Sequence, residues 1–123
     1  MYKAPVIRRT AMEQEHTSKS LPLFKEISPV FEALKDENRQ ELIIQLVCYG
    51  PQSMGNLTES SHLSRTAVSH HLKILERAGI ITVEKKGTTR ICRHNLGETL
   101  GELRNLVNSL EEDLSLYASE DKK

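Results

Sequence analysis

Apolar positions fall into distinct periods along the chain. Leu23, Phe24, Ile27, Val30, Phe31 and Leu34 recur at helical spacing and predict a first helix from about Leu21. Pro29 lacks an N–H and is expected to start or bend a turn there. Asp36 reads as the N-cap of a second helix, with Glu37 and Glu41 in or near a first turn whose dipole favours acids. Leu42, Ile43, Leu46 and Val47 form its apolar stripe, and Gly50-Pro51 ends it. Ser53 caps a short third helix running to about Ser60. The connection Ser61-His62-Leu63 leads to a fourth helix over about 64–78, capped by Ser64, with Val68, Leu72 and Leu75 on one face. Gly79 suits the left-handed conformation that closes such a helix. Two short helices joined by a short turn make a helix-turn-helix.

After Gly79 the period changes. Ile80 to Val83 is β-branched and reads as a strand, Glu84 to Thr88 as a turn, and Thr89 to His94 as the return strand. A hairpin directly after the fourth helix is a wing. From Leu96 the period becomes 3.5: Leu96, Leu100, Leu103, Val107, Leu110, Leu114 and Tyr117 form an a/d seam. That seam either packs on the chain's own core or meets a two-fold partner, and its regularity favours the partner. The expected fold class is mainly α with a small β-hairpin, a homodimeric winged helix-turn-helix of five helices plus wing. Residues 1–20 are expected to form an N-terminal arm or short extra helix. Residues 21–118 form the domain, its dimerisation helix at about 97–118, and 119–123 a tail. Leu23, Phe24, Ile27, Leu100, Leu103, Val107, Leu110 and Leu114 are the candidate dimer residues.

The 123 residues suit one domain and are 37% hydrophobic. No apolar run reaches the length of a membrane span, and Met1 to Ser20 lacks the apolar stretch of a secretory signal. Two cysteines are too few for a disulfide framework, so a cytoplasmic location is expected. The zero net charge hides a split. Residues 56–96 carry seven basic and three acidic side chains, whereas 97–123 carry three basic and seven acidic. A basic middle suits a polyanion, although each charge taken alone also reads as a solvated surface group.

With Val68, Leu72 and Leu75 turned inward, the fourth helix presents Arg65, Thr66, Ser69, His70 and Lys73 outward. All can donate hydrogen bonds and none is acidic. Arg pairs with guanine through two parallel bonds, while Ser and Thr accommodate either base type. Lys73 lies further along, where phosphate contact is expected. The wing tip adds Lys85, Lys86, Thr88, Thr89 and Arg90, able to follow the backbone or enter a minor groove. Ser64, Arg65, Thr66, Ser69, His70, Lys73, Lys85, Lys86, Thr88 and Arg90 are therefore the candidate contacts to double-stranded operator DNA.

"FEALKDENRQELIIQL" at 31–46 and "LSRTAVSHHLKILERAGIITVEKKGTTR" at 63–90 resemble the arsenic-repressor-like (ArsR/SmtB) family over roughly residues 27–118. The resemblance implies a homodimer built on the first and last helices, repressing a nearby operon until an inducer acts. Asn38 stands where the family commonly has proline. Many members sense metals, through thiolates before the turn or histidines and carboxylates on the last helix. Here Ser53-Met54-Gly55-Asn56-Leu57 has no thiolate, and the last helix offers Glu98, Glu102, Glu111, Glu112 and Asp113 without histidine. Neither usual site is expected, so no metal or cofactor is assigned. A non-standard pair remains in Cys92 and His94, two apart on a strand. His70 is assigned to DNA, His71 to the helix flank, His62 to the turn and His16 to the arm.

Cys48 and Cys92 are the candidate redox residues. Cys48 is open to two readings, a small buried hydrophobe or a thiol sensor, since some family members carry a sensing cysteine in this region. Its partner in such members lies in the last helix, which has none here. An enzyme is not expected: there is no Gly-rich phosphate loop, metal-ligand cluster or nucleophile elbow. The leading reading is a sequence-specific repressor with an unidentified inducer, thiol oxidation being one candidate. The alternatives are a winged-helix interaction module that binds no DNA and a metal-responsive repressor with a non-standard site.

Overall fold

The computed structural model describes the backbone of residues 6–7 and 16–121 and the side chains of 18–116. Two short strands, β1 (Val6–Ile7) and β2 (His16–Thr17), pair antiparallel, so the described part of the arm is extended rather than helical. There follow α1 (Ser20–Leu34), α2 (Glu37–Tyr49), β3 (Gln52–Ser53), α3 (Met54–Ser60), α4 (Arg65–Arg77), β4 (Ile81–Lys86), β5 (Thr89–His94) and α5 (Leu96–Asp121). The chain divides into two compact units, residues 29–100 and residues 1–28 with 101–123.

In the first of these, side-chain caps fix the helix starts. Asp36 accepts from the Arg39 N–H, Ser53 from Asn56 and Ser64 from Ala67, at 3.0–3.1 Å. Each satisfies a donor that the first helical turn leaves without a partner. The end of α4 is equally determined. Gly79 takes φ 77, its N–H reaches the Glu76 carbonyl, and the Ile80 N–H reaches that of Leu75, the paired bonds of a Schellman closure. Asn95 then ties the sheet to α5. Its backbone N–H bonds the Ile80 carbonyl at 2.7 Å, and its side-chain amide reaches Gly79 O and Glu98.

The core of this unit draws on each element. Leu42, Ile43 and Leu46 of α2, Leu57 of α3, Val68, Leu72 and Leu75 of α4, and Ile80, Ile81 and Cys92 at the sheet are all 0–5% exposed. β5 is the centre of a three-stranded sheet ordered β3-β5-β4. Its register pairs Gln52 with Cys92 and Val83 with Cys92 on the two sides.

The other unit joins the start of α1 to α5 through polar contacts. Ser20 Oγ lies 2.7 Å from Ser109 Oγ and donates to Asp113 Oδ2 at 2.8 Å. Ser18 Oγ donates to the same carboxylate and accepts from the Ser20 N–H, placing a negative charge at the helix start, where the dipole favours it.

Several expectations are corrected. Pro29 neither starts nor ends α1 but lies inside it, and Ser28 Oγ bonds back to the Phe24 carbonyl one turn earlier. Val47 is 42% exposed and leaves the stripe of α2. Strand pairing extends to Lys86↔Thr89, so the turn expected over 84–88 shrinks to Gly87-Thr88. Strand β3 has no counterpart in the sequence reading. The helical backbone of α5 runs through Asp121, into the expected tail.

Replacing Leu46 with Ala removes a fully buried side chain and should lower stability by about 2–5 kcal/mol. A urea midpoint within error of wild type would contradict its place at the centre of the core.

Candidate nucleic-acid interface

Burying Val68, Leu72 and Leu75 turns the opposite face of α4 to solvent. Arg65, Thr66, His70 and Lys73 are exposed and Ser69 half-buried. Ser64 is also exposed, but its hydroxyl is engaged by the Ala67 N–H, so its part is to cap the helix. The wing brings its own donors to the same side. A cleft of about 620 Å3 is lined by Arg65, Thr66 and Ser69 of α4, Thr88, Thr89 and Arg90 of the wing, and Ser53, Met54 and Gly55 at the start of α3. Five of the ten expected DNA residues thus meet in one concavity. Ser64, His70, Lys73, Lys85 and Lys86 lie outside its lining.

The wing has a charge arrangement that its own stability does not explain. Lys85 and Arg90 are direct cross-strand partners, and like charges in that position repel. A polyanion laid along the hairpin relieves this repulsion. One pair further down the strands, Glu84 is flanked by Arg93 at 4.0 Å, so the uncompensated positive charge is confined to the tip. The hairpin is held in shape by a two-residue loop whose first residue, Gly87, takes φ 62, as a type II′ turn requires.

The two histidines of α4 part as expected. His70 faces out, whereas the ring of His71 is half-buried and its Nδ1 lies 3.1 Å from Nη1 of Arg39. Burial is the main cause that holds the His71 pKa below its ordinary value. Arg39 itself was not singled out from the sequence. The available signal is that positions 39, 42, 43 and 46 share one face of α2, so the arginine continues the apolar stripe.

The cysteines reverse the simple reading. Cys48 is exposed and Cys92 buried, and both are free thiols. Burial pushes the Cys92 thiol up to about 11. The non-standard metal pair is not assembled either. Cys92 is enclosed, while His94 is exposed and accepts the Leu96 N–H through Nδ1 at the start of α5. Among the described residues no three His, Cys, Asp or Glu side chains cluster as metal ligands.

The expected dimer residues also divide. Ile27 is only 2% exposed within a single chain and is corrected to the chain's own core. Leu23, Leu103 and Leu110 are half-buried. Phe24, Leu100, Val107 and Leu114 are 38–70% exposed, the last three forming a seven-residue repeat along α5. The inner side of α5 is instead taken by Thr99, Leu106 and Ser109.

A helix-turn-helix whose second helix is followed at once by a basic hairpin defines the winged helix-turn-helix class. A family model described as "Bacterial regulatory protein, arsR family" matches residues 36–83. The arsenical resistance operon repressor of Bacillus subtilis (strain 168) is 38% identical over 66 residues, 54% of this chain and 63% of that protein. The chain therefore spans slightly less than two thirds of that relative. The transcriptional repressor SdpR of the same organism is 31% identical over 88 residues, 69% of this chain and 97% of that protein. Among solved structures, an ArsR-like transcriptional regulator from Rhodococcus sp. RHA1 aligns with a TM-score of 0.68 at 30% identity, covering 81% of this chain and 94% of that one. The chain belongs to the ArsR family of bacterial regulatory proteins.

The exposure difference between the thiols is directly testable. Iodoacetamide at pH 8 should alkylate Cys48 in the folded protein and reach Cys92 only after denaturation. Equal labelling of both under native conditions, read by peptide mass, would contradict the burial of Cys92.

Proposed function

We propose that this protein is a sequence-specific DNA-binding transcriptional repressor that acts as a homodimer in the cytoplasm, and not an enzyme. The observation that carries the reading is the cleft in which Arg65, Thr66 and Ser69 of α4 face Thr88 and Arg90 of the wing. The N-terminal half of α4 enters the major groove, where Arg65 reads guanine and Thr66, Ser69 and His70 contact neighbouring bases. Lys73, Lys85, Lys86 and Arg90 neutralise phosphates and set the register. The repressor names of its relatives support the regulatory sense.

Dimerisation supplies the second half-site. The exposed Leu100, Val107 and Leu114 stripe of α5, with Phe24 of α1, is the surface that a second copy covers. An apolar repeat of this regularity gains by leaving water. The inducer is open between a thiol oxidant, a metal and a small ligand; the exposure of Cys48 keeps thiol oxidation among them, whereas the buried Cys92 is a poor nucleophile.

The test is fluorescence anisotropy with the protein's own promoter fragment at stated salt, reduced and then peroxide-treated. Tight, specific binding by the reduced protein is the expected result, and its loss on oxidation with recovery in reductant would make Cys48 the switch. Binding insensitive to peroxide removes the thiol reading, and no specific binding in either state removes the DNA reading. Arg65→Ala should cost about 1–3 kcal/mol of specific affinity and relax choice at one base pair. Lys85→Ala should weaken all sequences alike and flatten the salt dependence.

The double substitution Val107→Glu and Leu114→Glu should yield monomers with strongly reduced operator affinity. A double variant that still sediments as a dimer would remove α5 from the interface.

A further inference from the structure

Arg39 is a buried cation, 8% exposed, whose side chain joins α2 to two other helices. Its Nε–H donates to the Ala33 carbonyl at 2.8 Å and Nη2 to the Glu32 carbonyl at 3.3 Å. Both carbonyls lie in the last turn of α1, where helix geometry leaves acceptors without partners. Gln40 closes a further one, donating from Nε2 to the Leu34 carbonyl at 2.7 Å. The first turn of α2 therefore caps the end of α1, and the guanidinium still has one arm free for α4. That arm, Nη1, meets His71 Nδ1 at 3.1 Å. A guanidinium only donates and stays charged, so Nδ1 must be the unprotonated acceptor and His71 the neutral Nε2–H form.

We propose that Arg39 is a positioning residue for DNA binding: it orients α4 through His71, and protonation of His71 opens this tie, so that mild acid weakens operator binding. The inference rests on the DNA-binding reading above. His71 lies on the helix that carries Arg65, Thr66, Ser69 and His70, one residue from the exposed face. A protonated ring would direct an N–H at a guanidinium that cannot yield its charge, and a half-buried cation in contact with a buried one must separate from it. Either the ring swings out or α4 shifts, and a shift displaces the base-reading side chains together.

The groups around the ring set the sign. Burial of His71 is the main cause of its lowered pKa, with Arg39 and His70 acting in the same direction and Asp36, ahead of α2, opposing them. Glu32 and Lys35 at the end of α1 are paired with each other at 2.8 Å. Glu59 of α3 and Glu84, Lys85 and Lys86 of β4 occupy exposed positions. Because burial holds the folded value below the ordinary histidine value of 6.5, the stabilising contact is fully present above 6.5 and is lost as pH falls from there through the folded pKa. The phosphate potential acts the other way, since protonating a histidine near DNA would tighten binding. The sign of the pH effect therefore separates the tie from plain electrostatics.

The experiment measures promoter affinity by anisotropy from pH 8 to 5.5 at fixed salt for wild type, His71→Asn and Arg39→Lys, with circular dichroism confirming the fold of each. Asn offers an acceptor near the place of Nδ1 but does not titrate. The wild type should match His71→Asn at pH 8 and fall about twofold or more below it at pH 5.5, the gap widening as pH falls. Arg39→Lys should bind less well at pH 8 and lose the pH-dependent difference, because a single ammonium cannot hold both α1 and His71. A wild-type to His71→Asn ratio constant with pH, or one that rises in acid, overturns the proposal. Absence of binding by wild type at every pH overturns the DNA reading instead. The tie is then decided without DNA, by NMR of the free protein. A His71 midpoint at or above 6.5, or a titration that leaves the Arg39 Nε–H and α4 amide signals in place, overturns it.

Discussion

A helix can bury only one of its faces, and for α4 that choice determines the molecule. Val68, Leu72 and Leu75 are at most 2% exposed, each contributing on the order of 1.5–3 kcal/mol by leaving water. Once they are inside, Arg65, Thr66, His70 and Lys73 have no option but solvent, and Ser69 lies at the border. The caps at Ser64 and Gly79 fix where the helix starts and stops, so its rotation and its length are both set. The closure at Gly79 delivers Ile80 and Ile81 straight into the core, and this launches the wing from a fixed point.

Much of this was legible in the sequence, because the signals are local. Asp36, Ser53 and Ser64 cap the helices they were expected to cap, since a short polar side chain three residues ahead of an N–H has little else to do. The five helices and the hairpin follow from periods of 3.6 and 2 that composition does not blur. What was missed depends on contacts distant in sequence. Strand β3 is two residues long and exists because β5 offers it an edge. Val47 and Ile27 exchanged roles because periodicity gives a face but not its depth. Cys48 sits at the end of α2, two residues beyond Leu46, the last buried position of the stripe, and so turns to solvent. Arg39 was passed over because an arginine on an apolar stripe reads as an exception, and its partners lie on α1 and α4.

α5 shows how two demands share one helix. Thr99, Leu106 and Ser109 face inward, and Leu100, Val107 and Leu114 outward, so the seven-residue repeat is not a single seam but the outer of two. The inner side is partly polar. Ser109 and Asp113 engage Ser18 and Ser20, and directional bonds of this kind set the register of α1 against α5 where apolar contact alone would let them slide.

The wing carries a further consequence. Its two-residue loop leaves no slack, so the reach of the hairpin is counted in whole residue pairs. One additional residue in each strand would move the tip outward by about 3.4 Å and turn its side chains to the opposite face of the sheet. Only a second pair would bring Lys85-like and Arg90-like positions back to the original face. The hairpin is in that sense a graduated ruler, and related chains can lengthen it only in double steps if the same cationic face is to meet the same ligand.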